Sequence, residues 1–289
     1  MTIHQPIYIV GMHRSGTSML TRLLERAGLF VGYNKEGNNE AIFFLQLNEW
    51  MLRQANASWD NPYNFQFINQ ELEEYFVEVL QAQLRANAPA AFLGPNLATQ
   101  HPDLHQLSFS WGWKDPRNCI TLHIWKRIFP DMKVLNIYRN PIDIAYSLHK
   151  RELSYAQRME ASLVAHPGKV ATGEFKRHRS PRVFHLHEGV KLWKEYLQQV
   201  DKQRGLFSSA DWRDVHYEEF LQNPVGTLTD LVQFCGMDNT VIDIAELAKD
   251  VKQERRYAFT QNPSLTALYN EVRTDPLIQS LGYGDIPLE

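Results

Sequence analysis

The sequence predicts an α/β protein of the P-loop type, with three layers in which helices flank a central parallel sheet. The first observation is an apolar run, Ile7–Val10, that continues into a loop with two glycines and then a helical pattern. The second is that strand, turn and helix patterns recur around residues 133–150 and 213–235. Repeated units of this kind favour parallel strands, because each helix returns the chain to the same end of the sheet.

Residues 11–18 form the loop after the first strand and read Gly-Met-His-Arg-Ser-Gly-Thr-Ser. A tight glycine turn before a helix directs several backbone N–H groups at one point, near the positive end of the helix dipole. The pattern therefore predicts an anion site, most often for phosphate. The two glycines have the spacing of the P-loop signature of nucleoside-triphosphate-binding proteins. Thr17, however, stands where that signature has lysine, and Arg14 lies inside the loop instead.

Length and composition are those of an ordinary globular chain. The 289 residues suit one large α/β domain or two small ones, and we expect a single domain over 1–289. A net charge of −3 argues against general nucleic-acid binding. We find neither a signal peptide nor an apolar run of about 18 residues, so no transmembrane segment is expected. Cys119 and Cys235 offer no disulfide framework and no zinc spacing, which favours a reducing compartment, and we expect a cytoplasmic location.

A second group of candidate residues follows the predicted strand Lys133–Tyr138. Arg139 comes directly after that strand, and Pro141 then suits the first turn of a helix that carries Ser147 in its second turn. Both side chains can face the crevice at the carboxyl ends of the strands, where open α/β sheets bind ligands. An arginine fork and a hydroxyl suit a phosphate monoester, although an arginine in this place is by itself more often in a surface salt bridge.

The other predicted elements carry fewer functional signals. A helix is expected over residues 40–52, with Glu40 in its first turn, where an acid usually serves the helix dipole. The aromatic stretch 59–67 is expected to pack in the core, and a surface that stacks on a sugar is the alternative. A short strand ends near Lys114, an acidic helix is expected over residues 241–252, and a final helix from about Ser264.

The segment 176–182 carries five basic residues and no acid, and it lies in a long connection between predicted helices. Most charge runs are simply solvated. Long connections in compact domains, however, are often lids or binding loops. We therefore expect residues 153–185 to form a lid or an acceptor-binding insertion within the domain.

Together these segments resemble the sulfotransferases that use 3′-phosphoadenosine 5′-phosphosulfate (PAPS), in the bacterial and carbohydrate-type branch. The glycine loop resembles their 5′-phosphosulfate loop. Arg139 followed by Ser147 is similar to their 3′-phosphate motif. The segment 215–224, Val-His-Tyr-Glu-Glu-Phe-Leu-Gln-Asn-Pro, resembles the one in which a tyrosine, here Tyr217, approaches the adenine. The donor-binding residues implied by this resemblance are His13, Arg14, Ser15, Gly16, Thr17, Ser18, Arg139, Ser147 and Tyr217.

The resemblance also implies the catalytic residues Glu40, Arg14 and Lys114. Residues 39–44, Asn-Glu-Ala-Ile-Phe-Phe, resemble the segment that carries the general base of carbohydrate sulfotransferases, which implies Glu40. Lys114-Asp-Pro resembles the Lys-x-Pro element beside the donor. The histidine base of the cytosolic branch has no counterpart, which favours Glu40 as the base. His13 is the second candidate. That branch's C-terminal Arg-Lys-Gly is also absent, and Arg255 or Arg256 is the candidate substitute.

The function implied by the resemblance is transfer of a sulfuryl group from PAPS, without a metal, to a hydroxyl of a carbohydrate or glycolipid. A small alcohol or phenol is the second choice of acceptor. A P-loop kinase or NTPase is the main alternative, but it calls for a lysine at position 17 and an acid at the end of an apolar strand. A catalytically inactive nucleotide-binding protein of the same fold is the other alternative, and it would need neither Glu40 nor Lys114.

Overall fold

A computed structural model describes residues 3–165, 168, 180–238 and 242–288. The basic residues 176–179, and with them the middle of the expected lid, lie outside the described residues. The structure divides into two compact units. The first comprises Met1–Arg139 and Glu195–Arg256, and the second comprises Asn140–Lys194 and Tyr257–Glu289.

The first unit contains a four-stranded parallel sheet in the order β2-β1-β3-β4, which confirms the predicted fold class. The strand order reverses between β1 and β3, and ligands of open α/β sheets bind outside the carboxyl ends of the strands at such a point. The loop 11–18 follows β1, and Arg139 follows β3. The strands are β1 (Ile7–Val10), β2 (Gly112–Lys114), β3 (Lys133–Tyr138) and β4 (Trp212–His216).

The α-helices of the described residues range from five to 25 residues in length. In chain order they are α1 (Thr17–Arg26), α2 (Ile42–Gln54), α3 (Gln70–Ala86), α4 (Gly94–Ala98), α5 (Asn118–Ile128), α6 (Pro141–Ala165), α7 (Leu186–Arg204), α8 (Tyr217–Gln222), α9 (Pro224–Phe234), α10 (Ile244–Ala248), α11 (Pro263–Val272) and α12 (Pro276–Ser280).

Helices cover both faces of the sheet within the first unit. On one face, Ile9 joins a buried cluster with Leu20 of α1 and Leu231 of α9. The neighbouring Tyr8 points to the opposite face, since successive side chains of a strand alternate. There its hydroxyl lies 3.3 Å from the hydroxyl of Thr121 in α5. Two helical layers on one sheet confirm the three-layer arrangement.

The second unit has a core of its own. In it, α6 and α7 pack closely at Gly189, where a Cβ would lie 2.9 Å from the Ala145 Cβ. The rings of Trp193 and Tyr283 meet edge to face, with centroids 6.4 Å apart. Both aromatic side chains are fully buried, so they contribute apolar burial to this unit.

The prediction that α2 begins at Glu40 is wrong. The helix begins at Ile42 with Ala41 as its N-cap, so Glu40 lies in the loop before it and outside the first turn. The physical reason is backbone pairing: Lys35 and Ala41 form an antiparallel bridge, and the Glu36 N–H donates to the Glu40 carbonyl at 2.9 Å. These contacts close residues 36–40 into a tight loop.

The helices after α9 are shorter than predicted. The acidic helix expected over 241–252 is reduced to the five residues of α10. The final predicted helix is two helices, because α11 ends at Val272 and a second helix starts at Pro276. Asp275 caps α12 by accepting from the Leu277 N–H, and proline suits the first turn since its missing N–H has no partner there.

Candidate functional site

The loop between β1 and α1 is shaped by its two glycines. Gly11 and Gly16 have φ angles of 150° and 104°. A Cβ on Gly11 would lie 2.4 Å from the Ile137 carbonyl oxygen, and one on Gly16 would lie 2.5 Å from the Tyr217 ring. Contacts this short do not occur with real Cβ atoms, so only glycine fits either position without a rearrangement.

We expect Gly16→Ala to lower the free energy of unfolding by about 1–2 kcal/mol for the left-handed backbone, plus a further cost for the Tyr217 contact. Gly28→Ala is the matched control, since Gly28 has φ 105° and nothing within 4 Å of its Cβ position. Urea unfolding measures the loss of stability in both variants, and the difference between the two losses is the cost of the Tyr217 contact. Equal losses in the two variants would show that Tyr217 does not constrain the loop.

The loop offers donors that suit an anion. Gly16 is the N-cap of α1, and no side chain caps the first turn, so backbone N–H groups of that turn are available at the positive end of the dipole. Ser15 is fully buried, and its hydroxyl has no hydrogen-bond partner among the described residues. A buried hydroxyl of this kind calls for a ligand or a water.

The base of the loop is held by a buried thiol. The Gly11 N–H donates to Cys119 Sγ at 3.2 Å. Burial raises the pKa of Cys119 to about 12, so the thiol is neutral at physiological pH and acts as a structural acceptor.

Two side chains of the loop that were predicted to bind the donor, those of His13 and Arg14, are partly or fully exposed to solvent. Arg14 has a left-handed backbone, with φ 73°, and an exposed side chain. His13 is half-buried, and its ring lies edge-on to Trp59 with the centroids 4.8 Å apart. The Tyr196 hydroxyl donates to the Trp59 carbonyl at 2.7 Å, which anchors the aromatic stretch 59–67 beside the loop.

Lys114 and Glu40 form a buried ion pair. Each was predicted as a catalytic residue from a different segment of the chain. Lys114 Nζ contacts Glu40 Oε1, and the two side chains are 0% and 7% exposed. Lys114 Nζ also donates to Ser18 Oγ at 3.3 Å, and that hydroxyl donates to the Asn38 carbonyl at 2.9 Å. The structure therefore brings the glycine loop, the Lys-x-Pro lysine and the candidate base to one place.

The register of the sheet explains why Lys114 reaches α1. Lys114 lies opposite Ile9, and paired residues of parallel strands project to the same face. Since Ile9 faces the α1 side, the Lys114 side chain points to that side as well, toward Ser18.

The Lys114 ammonium loses its proton more easily than an ordinary lysine. Burial is the largest effect and lowers the pKa of Lys114 to about 7. The charges of Asp115 and Glu36 oppose this effect, and those of Arg117 and Arg22 add to it. The charge at this point of the site therefore changes near neutral pH.

Arg139 lies directly after β3, at the strand tip, as predicted. Its guanidinium lies over the Tyr217 ring, 4.6 Å from the centroid, and donates to the carbonyls of Arg14 at 3.5 Å and Arg255 at 3.3 Å. The side chain is largely buried. Arg139 thus joins the glycine loop, α8 and the chain around Arg255. Ser147 lies in the second turn of α6, as predicted, in the second unit.

The aromatic stretch is buried in part and exposed in part. Phe65 is buried, as core packing requires. Tyr63 and Phe67 are 58% and 65% exposed, and their rings meet edge to face with centroids 5.2 Å apart. An exposed aromatic pair remains available for stacking on a ligand.

Sequence reasoning missed the buried polar groups behind Lys114. Asn48 of α2 is fully buried and donates to Asp115 and Asn118, while its side-chain oxygen accepts from Thr121 and Trp125. The signal was an asparagine within the apolar pattern of α2, because a polar group on a buried face must find partners.

Metal-binding and membrane-spanning features are both missing from the described residues. Within those ranges, no group of three or more His, Cys, Asp and Glu side chains is arranged to hold a metal ion. No helix of the same residues has the length and apolar character needed to cross a membrane.

A family model described as the sulfotransferase family matches residues 6–240. The chain belongs to the sulfotransferase family. The match includes every predicted site residue from His13 to Tyr217, whereas Arg255 and Arg256 lie beyond it.

Solved structures of sulfotransferases have a similar fold. The chain is 18% identical to the sulfotransferase from Alicyclobacillus acidocaldarius, with a TM-score of 0.52 over 99% of this chain and 98% of that one. It is 15% identical to the sulfotransferase domain from the Curacin biosynthetic pathway, with a TM-score of 0.50 over 99% of this chain and 100% of that one. At these identities the likeness concerns the fold alone. A comparison with curated proteins gives no match.

Proposed function

We propose that this sulfotransferase moves the sulfuryl group of PAPS to an acceptor hydroxyl, with Glu40 as the general base. The observation that carries the proposal is the buried contact of Lys114 with both Glu40 and Ser18. A carboxylate, an ammonium and a hydroxyl of the anion loop are thereby in mutual contact, which supports a shared role at the reacting group. PAPS supplies an activated sulfuryl group whose leaving group is the 5′-phosphate.

The cationic residues fit the charge that develops on the leaving group. A sulfuryl group carries one negative charge fewer than a phosphoryl group, so ammonium, guanidinium and N–H groups can neutralise the departing 5′-phosphate. Lys114, Arg14 and the backbone of residues 15–18 are proposed for this task. Preorganised charges of this kind are usually the largest single contribution to catalysis.

Glu40 is proposed to take the acceptor's proton. A hydroxyl is a poor nucleophile at neutral pH, and a carboxylate within hydrogen-bond reach contributes about 10²–10⁴ in rate. The contact with Lys114 holds the Glu40 carboxylate in place beside the anion loop. The acceptor oxygen bonds to sulfur, the bond from sulfur to the 5′-phosphate oxygen breaks, and the proton passes to Glu40 and then to water.

The 3′-phosphate of the donor is proposed to bind at Arg139. The supporting observation is that the Arg139 guanidinium already bridges the glycine loop and the carbonyl of Arg255. This neighbourhood makes Arg255 and Arg256, both exposed, the candidates for further cationic contacts. The role of Ser147 stays a prediction from the resemblance.

Arg139→Ala is expected to remove most of the preference for 3′-phosphoadenosine 5′-phosphate over AMP. A hydrogen bond to a charged group contributes about 1.5–3 kcal/mol, and this contact is made only with the 3′-phosphate. Calorimetry with both nucleotides and no added metal measures the preference. Arg213→Ala is the matched control, since Arg213 is an exposed arginine paired with Asp230. Equal affinities of wild type for the two nucleotides would overturn the donor assignment.

We expect the affinity for the same product nucleotide to fall as the pH rises from 7 to 9. The pKa of Lys114 is lowered to about 7, so the free site loses its ammonium over this range, whereas a bound anion favours the protonated form. Binding must then take up a proton, at a cost of up to about tenfold in affinity per pH unit. Lys114→Arg should remove the dependence, because guanidinium stays charged. A flat wild-type profile would contradict the role of Lys114.

The acceptor is proposed to be a hydroxyl of a carbohydrate or glycolipid. The exposed Tyr63 and Phe67 rings support this choice, as does the packing of their segment against His13 of the glycine loop. A small alcohol or phenol is the second choice. The cytoplasmic location, the single-domain assignment and the lid over residues 153–185 stay predictions. A screen of acceptors with PAPS tests the acceptor class.

The two alternative functions receive less support. A kinase or NTPase site would place lysine where Thr17 stands, and β3 ends in Tyr138 where a magnesium-binding acid would be expected. An inactive nucleotide-binding protein would have no need for Glu40 and Lys114 in buried contact. Turnover of a labelled donor distinguishes that alternative from the enzyme.

A further inference from the structure

The segment before α2 carries Glu40, and we call residues 35–40 the Glu40 loop. Its backbone closes on itself, because the Glu36 N–H donates to the Glu40 carbonyl and the Asn39 N–H donates to the Glu36 carbonyl, each at 2.9 Å. Asn39 has a left-handed backbone, with φ 66°, which asparagine adopts more often than most residues. These bonds give the loop its shape, whereas contacts with other elements must fix where it lies.

A single carboxylate of α1 contacts the Glu40 loop at both ends. Lys35 Nζ forms an ion pair with Glu25 Oε1, and Asn39 Nδ2 donates to Glu25 Oε2 at 3.5 Å. Lys35 is the first residue of the loop, and Asn39 directly precedes Glu40. Glu25 and Lys35 are both partly buried. Glu25 therefore fixes the two ends of the loop to one point on α1.

Ser18 holds the same loop near the start of α1. Its hydroxyl donates to the Asn38 carbonyl at 2.9 Å and accepts from Lys114 Nζ at 3.3 Å. Ser18 and Glu25 are seven residues apart, a spacing that places both on one face of a helix, about 10 Å apart along its axis. The Glu40 loop thus lies along the helix whose N-terminus faces the anion site.

The position of Glu25 does not favour the helix itself. Helix α1 ends at Arg26, so Glu25 lies in the last turn, where a negative charge is unfavourable in the field of the helix dipole. Alanine is also a better helix former than glutamate. The contacts with the Glu40 loop are therefore the contribution of this carboxylate, and its removal should leave α1 intact.

We propose that Glu25 is a positioning residue for sulfuryl transfer. It fixes the Glu40 loop on α1 and so sets the Glu40 carboxylate relative to the anion site at the start of the same helix. The role in transfer rests on the proposed function, and an error of about 1 Å in such a position can lower a rate about 100-fold. The attachment of the loop does not rest on it and can be measured without nucleotide or acceptor.

Amide hydrogen exchange followed by NMR in the free protein measures the attachment. The N–H groups of Glu36, Asn39 and Ile42 report on the loop, because each donates to a backbone carbonyl of residues 34–40. Glu25→Ala is expected to speed their exchange about two- to fivefold, the loss typical of an ion pair near the surface. Unchanged exchange of all three amides would overturn the inference.

Asp250→Ala is the matched control for Glu25→Ala. Asp250 is an exposed carboxylate that forms an ion pair with Arg26, also on α1, so this variant removes a charge pair from the same helix. Its partner lies outside the Glu40 loop. The exchange of the three amides should therefore stay at the wild-type rate.

The effect on catalysis is measured with PAPS labelled in the sulfuryl group and a saccharide, glycolipid, alcohol or phenol that wild type uses. Glu25→Ala is expected to lower kcat about 10- to 100-fold, because the base is misplaced. The affinity for 3′-phosphoadenosine 5′-phosphate should stay close to that of wild type, since no donor-binding residue is changed. A wild-type kcat, or equal losses of kcat and affinity, would overturn the role as a positioning residue.

Reversal of the ion pair tests whether Glu25 acts through Lys35. Lys35→Glu alone places two carboxylates together and should resemble Glu25→Ala. The double variant Glu25→Lys/Lys35→Glu forms the pair with the charges exchanged, and it should recover slow amide exchange and most of kcat. Failure to recover the exchange would overturn the attachment, and recovered exchange without kcat would overturn the role in transfer.

The outcomes distinguish this inference from the proposed function. If wild type transfers no sulfuryl group, or if Glu40→Gln is fully active, the proposed function fails, and the exchange rates alone decide whether Glu25 fixes the loop. If Glu40→Gln is inactive while Glu25→Ala keeps the wild-type kcat, the proposed function stands and the positioning role of Glu25 is overturned.

Discussion

Glu40→Gln is expected to lower kcat by at least about 100-fold, the effect of losing a general base. Glutamine keeps the size of the side chain but cannot take the acceptor's proton. The affinity for 3′-phosphoadenosine 5′-phosphate should stay close to that of wild type, because the phosphate groups replace the carboxylate as the counter-ion of Lys114. Steady-state kinetics and calorimetry on this one variant test both statements.

Glu36→Gln is the matched control for this variant. Glu36 lies in the same loop as Glu40, but the ion pair with Lys114 is made by Glu40. The control should keep most of the wild-type kcat. An active Glu40→Gln protein would show that another group takes the proton, and His13 would then be the residue to test.

Lys114→Met is expected to lower the free energy of unfolding by about 3–5 kcal/mol at neutral pH, the typical cost of leaving one partner of a buried ion pair uncompensated. The buried Glu40 is the partner left behind. The kcat should also fall severely, because the leaving 5′-phosphate loses a cation. Urea unfolding and single-turnover kinetics measure the two effects.

The double variant Lys114→Met/Glu40→Gln tests whether the two charges stabilise each other. Removing both charges should restore most of the lost stability, since a neutral pair of similar size has no buried charge to compensate. It should restore no activity. If the two single losses simply add in the double variant, Lys114 and Glu40 do not form a buried ion pair in solution.

Local sequence patterns were sufficient to predict the parallel sheet and the anion-binding loop. The apolar run of β1 is continuous and that of β3, after its first residue, is interrupted only by Asn136, a pattern typical of strands buried on both faces, and the glycines of the loop leave few alternative backbones. The position of Arg139 followed from the proline two residues later, which fixes where the helix begins. These features depend on residues close together in the chain, so the sequence alone could predict them.

Contacts between segments distant in the chain could not be predicted from the sequence. Glu40 was expected inside a helix because helical periodicity extends back to it, whereas pairing of Lys35 with Ala41 makes the helix begin later. The contact between Lys114 and Glu40 depends on the strand register and on how α2 is held, and neither can be read from local patterns. An asparagine in the apolar pattern of α2 signals that Asn48 needs polar partners, but the sequence does not show that these are Asp115 and Trp125.

Transfer of a labelled sulfuryl group shows directly whether the protein catalyses the proposed reaction. Wild type, Glu40→Gln and Arg139→Ala are incubated with PAPS labelled in the sulfuryl group and with a panel of saccharides, glycolipids, alcohols and phenols. Wild type is expected to give labelled product with at least one acceptor class, without added metal, and Glu40→Gln at least about 100-fold less. Tight binding of the product nucleotide with no label transfer to any class would contradict this expectation, and would favour an inactive nucleotide-binding protein.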